Sequence, residues 1–338
     1  MNLQKLMDTA ASMTASGKGL LAIDESTSTC NKRFAADGIP QTEEYRRAYR
    51  ELIVTAPNLG ASISGAILFD ETIRQSTKAG KPFVGILKEA GIVPGIKVDE
   101  GAVDIPAFPG EKVTEGLDKL RGRLQEYGKM GARFSKWRAV ITIGDGIPTQ
   151  ACIDANAHAL ARYAALCQEA DIVPIVEPEV LMDGSHTIDQ CFDASQRTHR
   201  ALFAALFEQR VDMRGIILKP NMVLPAVDGP QVSDDVIAEA TINCLLSTVP
   251  GAVPGVAFLS GGQSGPEACN RLSTMNARYR GKLPWALTFS FARATHQPAM
   301  DVWLGKDENV EAAQTSLIHR AHSASLARLG EYDKSRDD

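Results

Sequence analysis

The sequence predicts an α/β fold, a (β/α)8 (TIM) barrel formed by a single domain over residues 1–338. Eight short apolar runs alternate with longer segments of helical spacing. Such alternation implies a parallel sheet, and eight repeats favour its closure into a barrel. Barrels of this kind are long enough to account for the whole chain as one domain.

The predicted strands are apolar runs with reactive residue types at or near their C-terminal ends. They are GLLAIDES (19–26), SGAILFDE (64–71), VPGIKVDE (93–100), ARFSKWRAVI (132–141), DIVPIVEPEV (171–180), RGIILKPNM (214–222), PGVAFLSGG (254–262) and WALTFSFARA (285–294). In such barrels the C-terminal strand ends meet at one rim and carry the chemistry. The pattern therefore predicts a reactive site at that rim.

Segments of helical spacing lie between these runs and before the first one. Helices are predicted over 1–16, 42–56, 151–170, 195–210 and 233–249. The second of these has acidic residues early and basic residues later, as the helix dipole favours, and Ser233 is a predicted N-cap. The Pro- and Gly-rich stretch 98–116 is predicted to be a long loop, and the tail 330–338 a short, solvated helix end.

The composition is typical of a soluble globular protein, with 44% hydrophobic and 23% charged residues. A net charge of −5 argues against nucleic acid as the main partner. No apolar run approaches a membrane span, and the N-terminal segment lacks a signal-peptide core, so a cytoplasmic protein is predicted. The six cysteines show no CxxC spacing and are expected to be reduced core thiols. His319 and His322 are one turn apart, as in some metal sites, but lack a third ligand and are interpreted as a solvated helix face.

Lys219 is the main candidate for a reactive group. It follows three apolar residues in GIILKPN (215–221), where Pro220 stops the strand. The competing interpretation is an ordinary solvated lysine at a strand end, because buried lysines are rare. Lys97 and Lys136 are predicted at the same rim, however. Burial and cationic neighbours both favour the neutral, nucleophilic amine that Schiff-base chemistry requires.

Two pairs of charged residues have the spacing that places side chains on one face of a strand. Lys136 and Arg138 are two residues apart, as are Glu177 and Glu179. The alternative for the glutamates is an exposed pair near a turn, but the surrounding run is apolar, as in a strand buried on both faces. Two carboxylates in one pocket should differ in pKa, so that one can donate a proton while the other stays charged.

A phosphate site is predicted after the last two strands. The Ser260–Gly262 segment offers a backbone that an anion can approach closely, and Arg293 follows the next strand. In (β/α)8 barrels this region commonly binds phosphate, so a phosphorylated substrate is predicted. Asp24 is either a base or an N-cap. Arg33 and Lys97 are either loop charges or ligands of a second anion across the mouth.

Seven motifs follow one another in order within residues 17–332. They are LLAIDEST, GIKVDEG, FSKWRAV, IVPIVEPEVL, LKPNMV, FLSGGQS and WALTFSFARA. Together they resemble the class I (Schiff-base) fructose-1,6-bisphosphate aldolases. The resemblance implies a homotetrameric (β/α)8 barrel without a metal or other cofactor. It also implies reversible cleavage of fructose 1,6-bisphosphate to dihydroxyacetone phosphate and glyceraldehyde 3-phosphate, in glycolysis and gluconeogenesis.

The resemblance also assigns catalytic roles to five residues. Lys219 matches the lysine that forms the Schiff base with C2 of the substrate, whose protonated imine is the electron sink for C3–C4 cleavage. Glu177 matches the general acid/base of carbinolamine dehydration, and Glu179 the carboxylate that supports it. Asp24 matches the residue that takes the C4 hydroxyl proton. Lys136 resembles the cation that orients both Asp24 and Glu177.

A second set of residues matches the family's substrate-binding positions. The ketose C1-phosphate site corresponds to Ser260, Gly261, Gly262 and Arg293, and the region of the far phosphate to Thr29, Arg33 and Lys97. Arg138 matches another cation of the pocket.

The sequence departs from the family pattern in three places. Ala292 replaces a glycine before Arg293, which is tolerable if the local φ is negative. Thr29 replaces a serine and keeps the hydroxyl. The chain ends in GEYDKSRDD, without the longer tail and terminal tyrosine that protonate C3 in well-known members. Tyr332 aligns with the start of that tail.

Three alternative functions are compatible with parts of the pattern. A Schiff-base lyase acting on sedoheptulose 1,7-bisphosphate would have a similar pocket, and relative turnover would separate the two. A metal-dependent aldolase would need a histidine cluster at the rim, which the sequence lacks. A non-catalytic sugar-phosphate-binding or scaffold protein would be favoured by loss of Lys219 or of the glutamate pair, but these residues are present.

Overall fold

Eight parallel strands close into a barrel in the computed structural model, which describes residues 1–336. The described residues contain these eight strands and two more: β1 (Gly19–Ile23), β2 (Ile63–Leu68), β3 (Val93–Lys97), β4 (Gly101–Asp104), β5 (Lys112–Glu115), β6 (Phe134–Ile141), β7 (Val173–Val180), β8 (Ile217–Leu218), β9 (Gly255–Phe258) and β10 (Ala286–Phe291). The barrel order is β1-β10-β9-β8-β7-β6-β3-β2, while β4 and β5 pair separately. Each predicted run contributes one barrel strand, which confirms the predicted fold class.

Helices surround the barrel. They are α1 (Leu3–Met13), α2 (Thr27–Ala36), α3 (Glu43–Val54), α4 (Asp70–Ile73), α5 (Phe83–Glu89), α6 (Leu120–Met130), α7 (Gln150–Glu169), α8 (Ile188–Glu208), α9 (Asp234–Thr248), α10 (Gly265–Arg278), α11 (Arg293–Trp303) and α12 (Val310–Leu329). Ser233 caps α9 as predicted, since its side chain accepts from the backbone N–H of Val236. Helix α8 begins before the predicted 195 because Thr187 and Gln190 form a capping box.

The N-terminal helix α1 seals the end of the barrel opposite to the predicted site. Leu6, Ala10 and Met13 are fully buried and pack with the residues that fill the barrel interior. One of these is Phe134, whose ring would lie 2.3 Å from a Cβ on Gly95, so only glycine fits at position 95. The filled interior leaves the C-terminal mouth as the place where polar side chains can converge.

The stretch 98–116 is not the long loop that the sequence predicts. Strands β4 and β5 form an antiparallel hairpin within it, with Val103 opposite Val113. The hairpin is attached to the barrel, because the Thr114 hydroxyl donates to the carbonyl of Arg138 at 2.7 Å. The sequence pattern did not predict these two strands because each has only four residues and because the turn between them is rich in proline and glycine.

The C-terminal segment is also more anchored than predicted. Helix α12 ends at Leu329, and Gly330 adopts a left-handed cap with φ 72°. Tyr332 is only 8% exposed and packs in the main core, while its carbonyl accepts from the Ser273 hydroxyl at 3.4 Å. The prediction of a solvated end is therefore wrong at Tyr332, and the last two residues of the predicted tail lie outside the described part of the chain.

Two further expectations concern the chain as a whole. All six cysteines are buried thiols, as predicted. Across the described residues, no helix combines the length and the apolar character that crossing a bilayer requires.

Candidate active site

Four charged side chains meet inside the C-terminal mouth of the barrel. Asp24 follows β1, Lys136 lies in β6, Glu177 lies in β7 and Lys219 follows β8. All are buried, with exposed fractions of 2–8%. Nζ of Lys219 lies 2.8 Å from Oε1 of Glu177. Nζ of Lys136 lies 2.7 Å from Oδ2 of Asp24 and 3.3 Å from Oε2 of Glu177, so the four charges alternate in sign.

Lys219 is buried because strand β8 stops immediately before it. The backbone N–H of Lys219 still donates to the carbonyl of Val176 in β7, at 2.8 Å. Pro220 has no N–H and cannot extend the ladder, and its carbonyl accepts from the N–H of Leu259 at 3.1 Å. An exposed fraction of 4% for Lys219 excludes the alternative of a solvated strand-end lysine.

The neighbouring charges determine how these groups are protonated. Burial acts to raise the pKa of Glu177, but Lys136, Lys219 and Arg138 outweigh it and hold the pKa below its usual range. The pKa of Asp24 is lowered in the same way: burial acts to raise it, but Lys136 and Lys219 outweigh burial. Burial acts to lower the pKa of Lys136, but Asp24 and Glu177 raise it above its usual range. Glu177 and Asp24 are therefore charged at neutral pH and able to accept a proton.

The two pairs predicted to share a strand face do so, in strands that end at Ile141 and Val180 as predicted. Strands β6 and β7 pair over their whole length, so Lys136 and Glu177 lie within strands and not at their ends. Every residue of β7 is buried, as predicted for a strand covered on both faces. Nε of Arg138 lies 2.5 Å from Oε2 of Glu179, one step further out along both strands.

The predicted phosphate residues are brought together beyond β9 and β10. Gly261 and Gly262 have φ values of 60° and 94°, in the left-handed region that favours glycine. A Cβ on Gly262 would lie 3.9 Å from Nη2 of Arg293, so this loop and Arg293 are neighbours. Arg293 is the exposed first residue of α11, where unpaired backbone N–H groups attract anions. Ala292 has φ −108°, so this position does not need the left-handed backbone that favours glycine.

Three predicted residues of the far phosphate region come from segments after β1 and at the end of β3. Thr29 is exposed in the first turn of α2. Arg33 forms an ion pair with Glu25, and Nζ of Lys97 lies 2.8 Å from Oδ1 of Asp99. Both cations already have carboxylate partners, so an incoming anion must compete for them.

Sequence reasoning missed Glu25 and the groups around it. Nη2 of Arg50 lies 2.7 Å from Oε2 of Glu25, and Nε2 of His296 lies 3.3 Å from Oε1. The side chain of Arg50 is only 3% exposed. The available signal was the position of Arg50 on the apolar stripe of the predicted helix 42–56, where a solvated residue would not lie.

Between residues 1 and 336, no three His, Cys, Asp or Glu side chains are arranged to hold a metal ion. His319 and His322 lie in α12 and are both exposed, which confirms the prediction of a solvated helix face.

Comparison with known proteins agrees with this architecture. The family model described as fructose-bisphosphate aldolase class-I matches residues 5–338. A probable fructose-bisphosphate aldolase class 1 from Xylella fastidiosa is 55% identical over 334 residues, covering 98% of this chain and 99% of the relative. A cytoplasmic isozyme of fructose-bisphosphate aldolase from Cicer arietinum is 50% identical over 329 residues, covering 97% and 91% of the two chains.

A solved structure extends the agreement to the fold. Fructose-bisphosphate aldolase from Plasmodium falciparum superimposes with a TM-score of 0.96 at 46% identity, covering 98% of this chain and 96% of that one. The barrel, the motifs and these relatives lead to the same conclusion. The chain belongs to the class I fructose-bisphosphate aldolase family of carbon–carbon lyases.

Proposed function

We propose that this chain cleaves fructose 1,6-bisphosphate reversibly through a Schiff base on Lys219. The observation that carries the proposal is the buried amine of Lys219, 2.8 Å from a glutamate that is held as a carboxylate. A nucleophilic amine must lose a proton before it attacks a carbonyl, and Glu177 is within reach of that proton. The proposed products are dihydroxyacetone phosphate and glyceraldehyde 3-phosphate.

Formation of the imine requires both Lys219 and Glu177. The neutral amine attacks C2 of the ketose, and the resulting carbinolamine loses its hydroxyl group as water after Glu177 returns the proton. Lys136 supports this exchange because its fixed charge stabilises the carboxylate form of Glu177 between transfers. Arg138 holds Glu179 beside the same strand face, so Glu179 is proposed to support Glu177 and not to replace it.

Carbon–carbon cleavage requires a base for the C4 hydroxyl. Asp24 is charged, buried and 2.7 Å from Lys136, and we assign this role to it. Removal of the C4 hydroxyl proton forms the aldehyde, the C3–C4 electron pair moves into the protonated imine, and an enamine remains on Lys219. Protonation at C3 and hydrolysis of the imine then release the ketone product.

Substrate orientation is assigned to the two ends of the mouth. Ser260, Gly261, Gly262 and Arg293 are proposed to hold the C1-phosphate, since the glycine backbone, the guanidinium and the start of α11 are adjacent. Thr29, Arg33 and Lys97 are proposed to contact the far phosphate, with Arg138 as a further cation of the pocket. A rigid grip at both ends fixes C2 against Lys219.

The cellular setting is proposed from relatives. The Cicer arietinum protein is named a cytoplasmic isozyme and an Arabidopsis thaliana relative, 51% identical, is named cytosolic; a cytoplasmic location is proposed here. A homotetramer and a role in glycolysis and gluconeogenesis rest on the family resemblance. We also propose that residues 1–338 form one domain, which includes the N-terminal helix and the short C-terminal tail.

The experiment that tests the proposal compares two lysine variants. Lys219→Met should abolish cleavage of fructose 1,6-bisphosphate, because the amine is lost while its apolar stem is retained. Lys18→Met is the matched control: Lys18 precedes β1 at the opposite end of the barrel, where its Nζ donates to the carbonyl of Gly60 at 2.6 Å. Substantial turnover by folded Lys219→Met would exclude the proposed mechanism.

A further inference from the structure

Glu25 is the centre of a buried ionic cluster and has no role of its own in the proposed reaction. Its carboxylate is 12% exposed, pairs with Arg33 and with Nη2 of Arg50 at 2.7 Å, and lies 3.3 Å from Nε2 of His296, whose pKa burial lowers to about 4. Burial acts to raise the pKa of Glu25, but its cationic neighbours, led by Arg50, lower it to about 2. Glu25 is therefore charged throughout the neutral range.

The cluster joins elements that carry opposite ends of the proposed substrate site. Arg33 comes from α2 and also donates from Nη2 to Oε1 of Gln297 at 2.5 Å. Gln297 and His296 are neighbours in the first turns of α11, which begins at the proposed C1-phosphate residue. Arg50 in α3 stacks over the ring of Tyr49 at 5.3 Å.

Tyr49 of α3 joins the cluster through His296. Its hydroxyl oxygen lies 2.9 Å from Nδ1 of His296 and 3.2 Å from the carbonyl oxygen of the same residue. Both side chains are fully buried. The first turns of α11 are thus tied through His296 both to α3 and to the residue that follows Asp24.

We propose that Glu25 is a positioning residue that holds Arg33 in place for the far phosphate and links it to the helix that carries Arg293. The proposal rests on the proposed function, because it uses the phosphate roles assigned to Arg33 and Arg293. Glu25 acts through these residues and through the backbone of Asp24, and it is not itself a substrate ligand.

Support from Glu25 matters because an arginine side chain is mobile. An unsupported guanidinium must be ordered when the phosphate binds, which costs conformational entropy and weakens binding. Glu25 and Gln297 hold Nη1 and Nη2 of Arg33 before substrate arrives. The guanidinium of Arg33 is then already oriented when substrate binds, and the distance between the two phosphate sites is kept constant.

The test uses the double variant Glu25→Gln/Arg50→Met. Glu25→Gln alone leaves Arg50 as a buried cation without a carboxylate, which is expected to destabilise the fold. The double variant removes both charges and should recover most of the thermal stability lost by Glu25→Gln. The support of Arg33 stays absent, so activity should not recover with stability.

A matched control exists on the same helix. Arg46, one turn before Arg50, forms a two-point ion pair with Glu71 at 2.8 and 2.7 Å, and neither residue belongs to the proposed site. The double variant Glu71→Gln/Arg46→Met should leave the KM for every substrate within twofold of the wild type.

The measured quantity is the ratio of two KM values. For Glu25→Gln/Arg50→Met, the KM for fructose 1,6-bisphosphate should rise about tenfold, while the KM for fructose 1-phosphate, which lacks the far phosphate, should stay within twofold. An unchanged ratio in the folded variant would overturn the proposal, as would an equal rise for both substrates. If the double variant does not fold, Glu25→Asp decides by the same ratio, because it keeps the charge but withdraws the carboxylate from Arg33.

Borohydride trapping with dihydroxyacetone phosphate separates this proposal from the proposed function. The probe has no far phosphate, so adduct formation on Lys219 should be equal in the wild type and the variant. No adduct in either protein would refute the Schiff-base mechanism. Equal adducts with an unchanged KM ratio would refute the role of Glu25 alone.

Discussion

Replacement of Lys136 by methionine should destabilise the protein in a manner that depends on pH. Lys136 is 4% exposed, and its ammonium lies between the carboxylates of Asp24 and Glu177, at 2.7 and 3.3 Å. Methionine fills a similar volume but removes the charge. Glu177 keeps Lys219 at 2.8 Å, whereas Asp24 loses its only ion-pair partner among the described residues.

The expected loss in the free energy of unfolding follows from leaving the buried carboxylate of Asp24 without an ion-pair partner. Removal of one partner from a buried ion pair typically costs about 3–5 kcal/mol. In the wild type the pKa values of Asp24 and Glu177 are lowered, so their stabilisation is present above the unfolded values, near 4, and is lost as pH falls through the lower folded values. In Lys136→Met the remaining cations, Lys219 for both carboxylates and Arg138 for Glu177, offset burial less completely, so both pKa values should rise. The free-energy difference should thus be largest at pH 7 and should shrink towards pH 4.

Urea unfolding followed by circular dichroism measures this difference at several pH values. Lys81→Met is the control, because Lys81 forms an exposed ion pair with Glu89 and such pairs contribute about 0–1 kcal/mol. A loss of unfolding free energy below about 1 kcal/mol for Lys136→Met would refute the electrostatic account of the contacts among Lys136, Asp24 and Glu177. A loss that does not change between pH 7 and 4 would refute it as well.

Three further predictions address the chemistry, the phosphate loop and the stability. Glu177→Gln should lower kcat far more than it changes KM, and an effect confined to KM would contradict its acid/base role. Gly262→Ala should raise KM, because φ is 94° and the new Cβ would meet Sδ of Met182 at 3.3 Å; an unchanged KM would contradict the close anion approach. The buried His199 has a pKa of about 4, against about 6.5 unfolded, so the unfolded state takes up the proton first. Acidification from pH 6.5 to 4 should then cost up to about 3 kcal/mol, and His199→Gln should flatten this dependence in urea-unfolding midpoints.

The barrel and its charged rim were predictable because both follow from the local periodicity of the sequence. Each strand is a short apolar run, and a residue at its C-terminal end is placed at the mouth by the topology alone. Lys136 and Glu177 could be assigned to one side of their strands because side chains alternate with a period of two. These inferences need no knowledge of which distant residues pack together.

Features that depend on tertiary partners were not predictable in the same way. Glu25 was missed because its partners Arg50 and His296 are distant in sequence, and because a charged helix residue such as Arg50 is usually solvated. The hairpin in 98–116 was missed because its strands are short and lie on either side of a turn rich in proline and glycine. Tyr332 was expected to be solvated because it follows the last long helix, in a segment without regular structure, and such segments usually lie on the surface.

The most direct test of the central claim is borohydride trapping with dihydroxyacetone phosphate in excess chelator, followed by peptide mass mapping. The account predicts one stable adduct on Lys219, within the peptide that contains GIILKPN, and no adduct in Lys219→Met. The contradicting result is the absence of an adduct together with loss of cleavage activity in chelator, which would mean that the buried amine beside Glu177 is not the nucleophile.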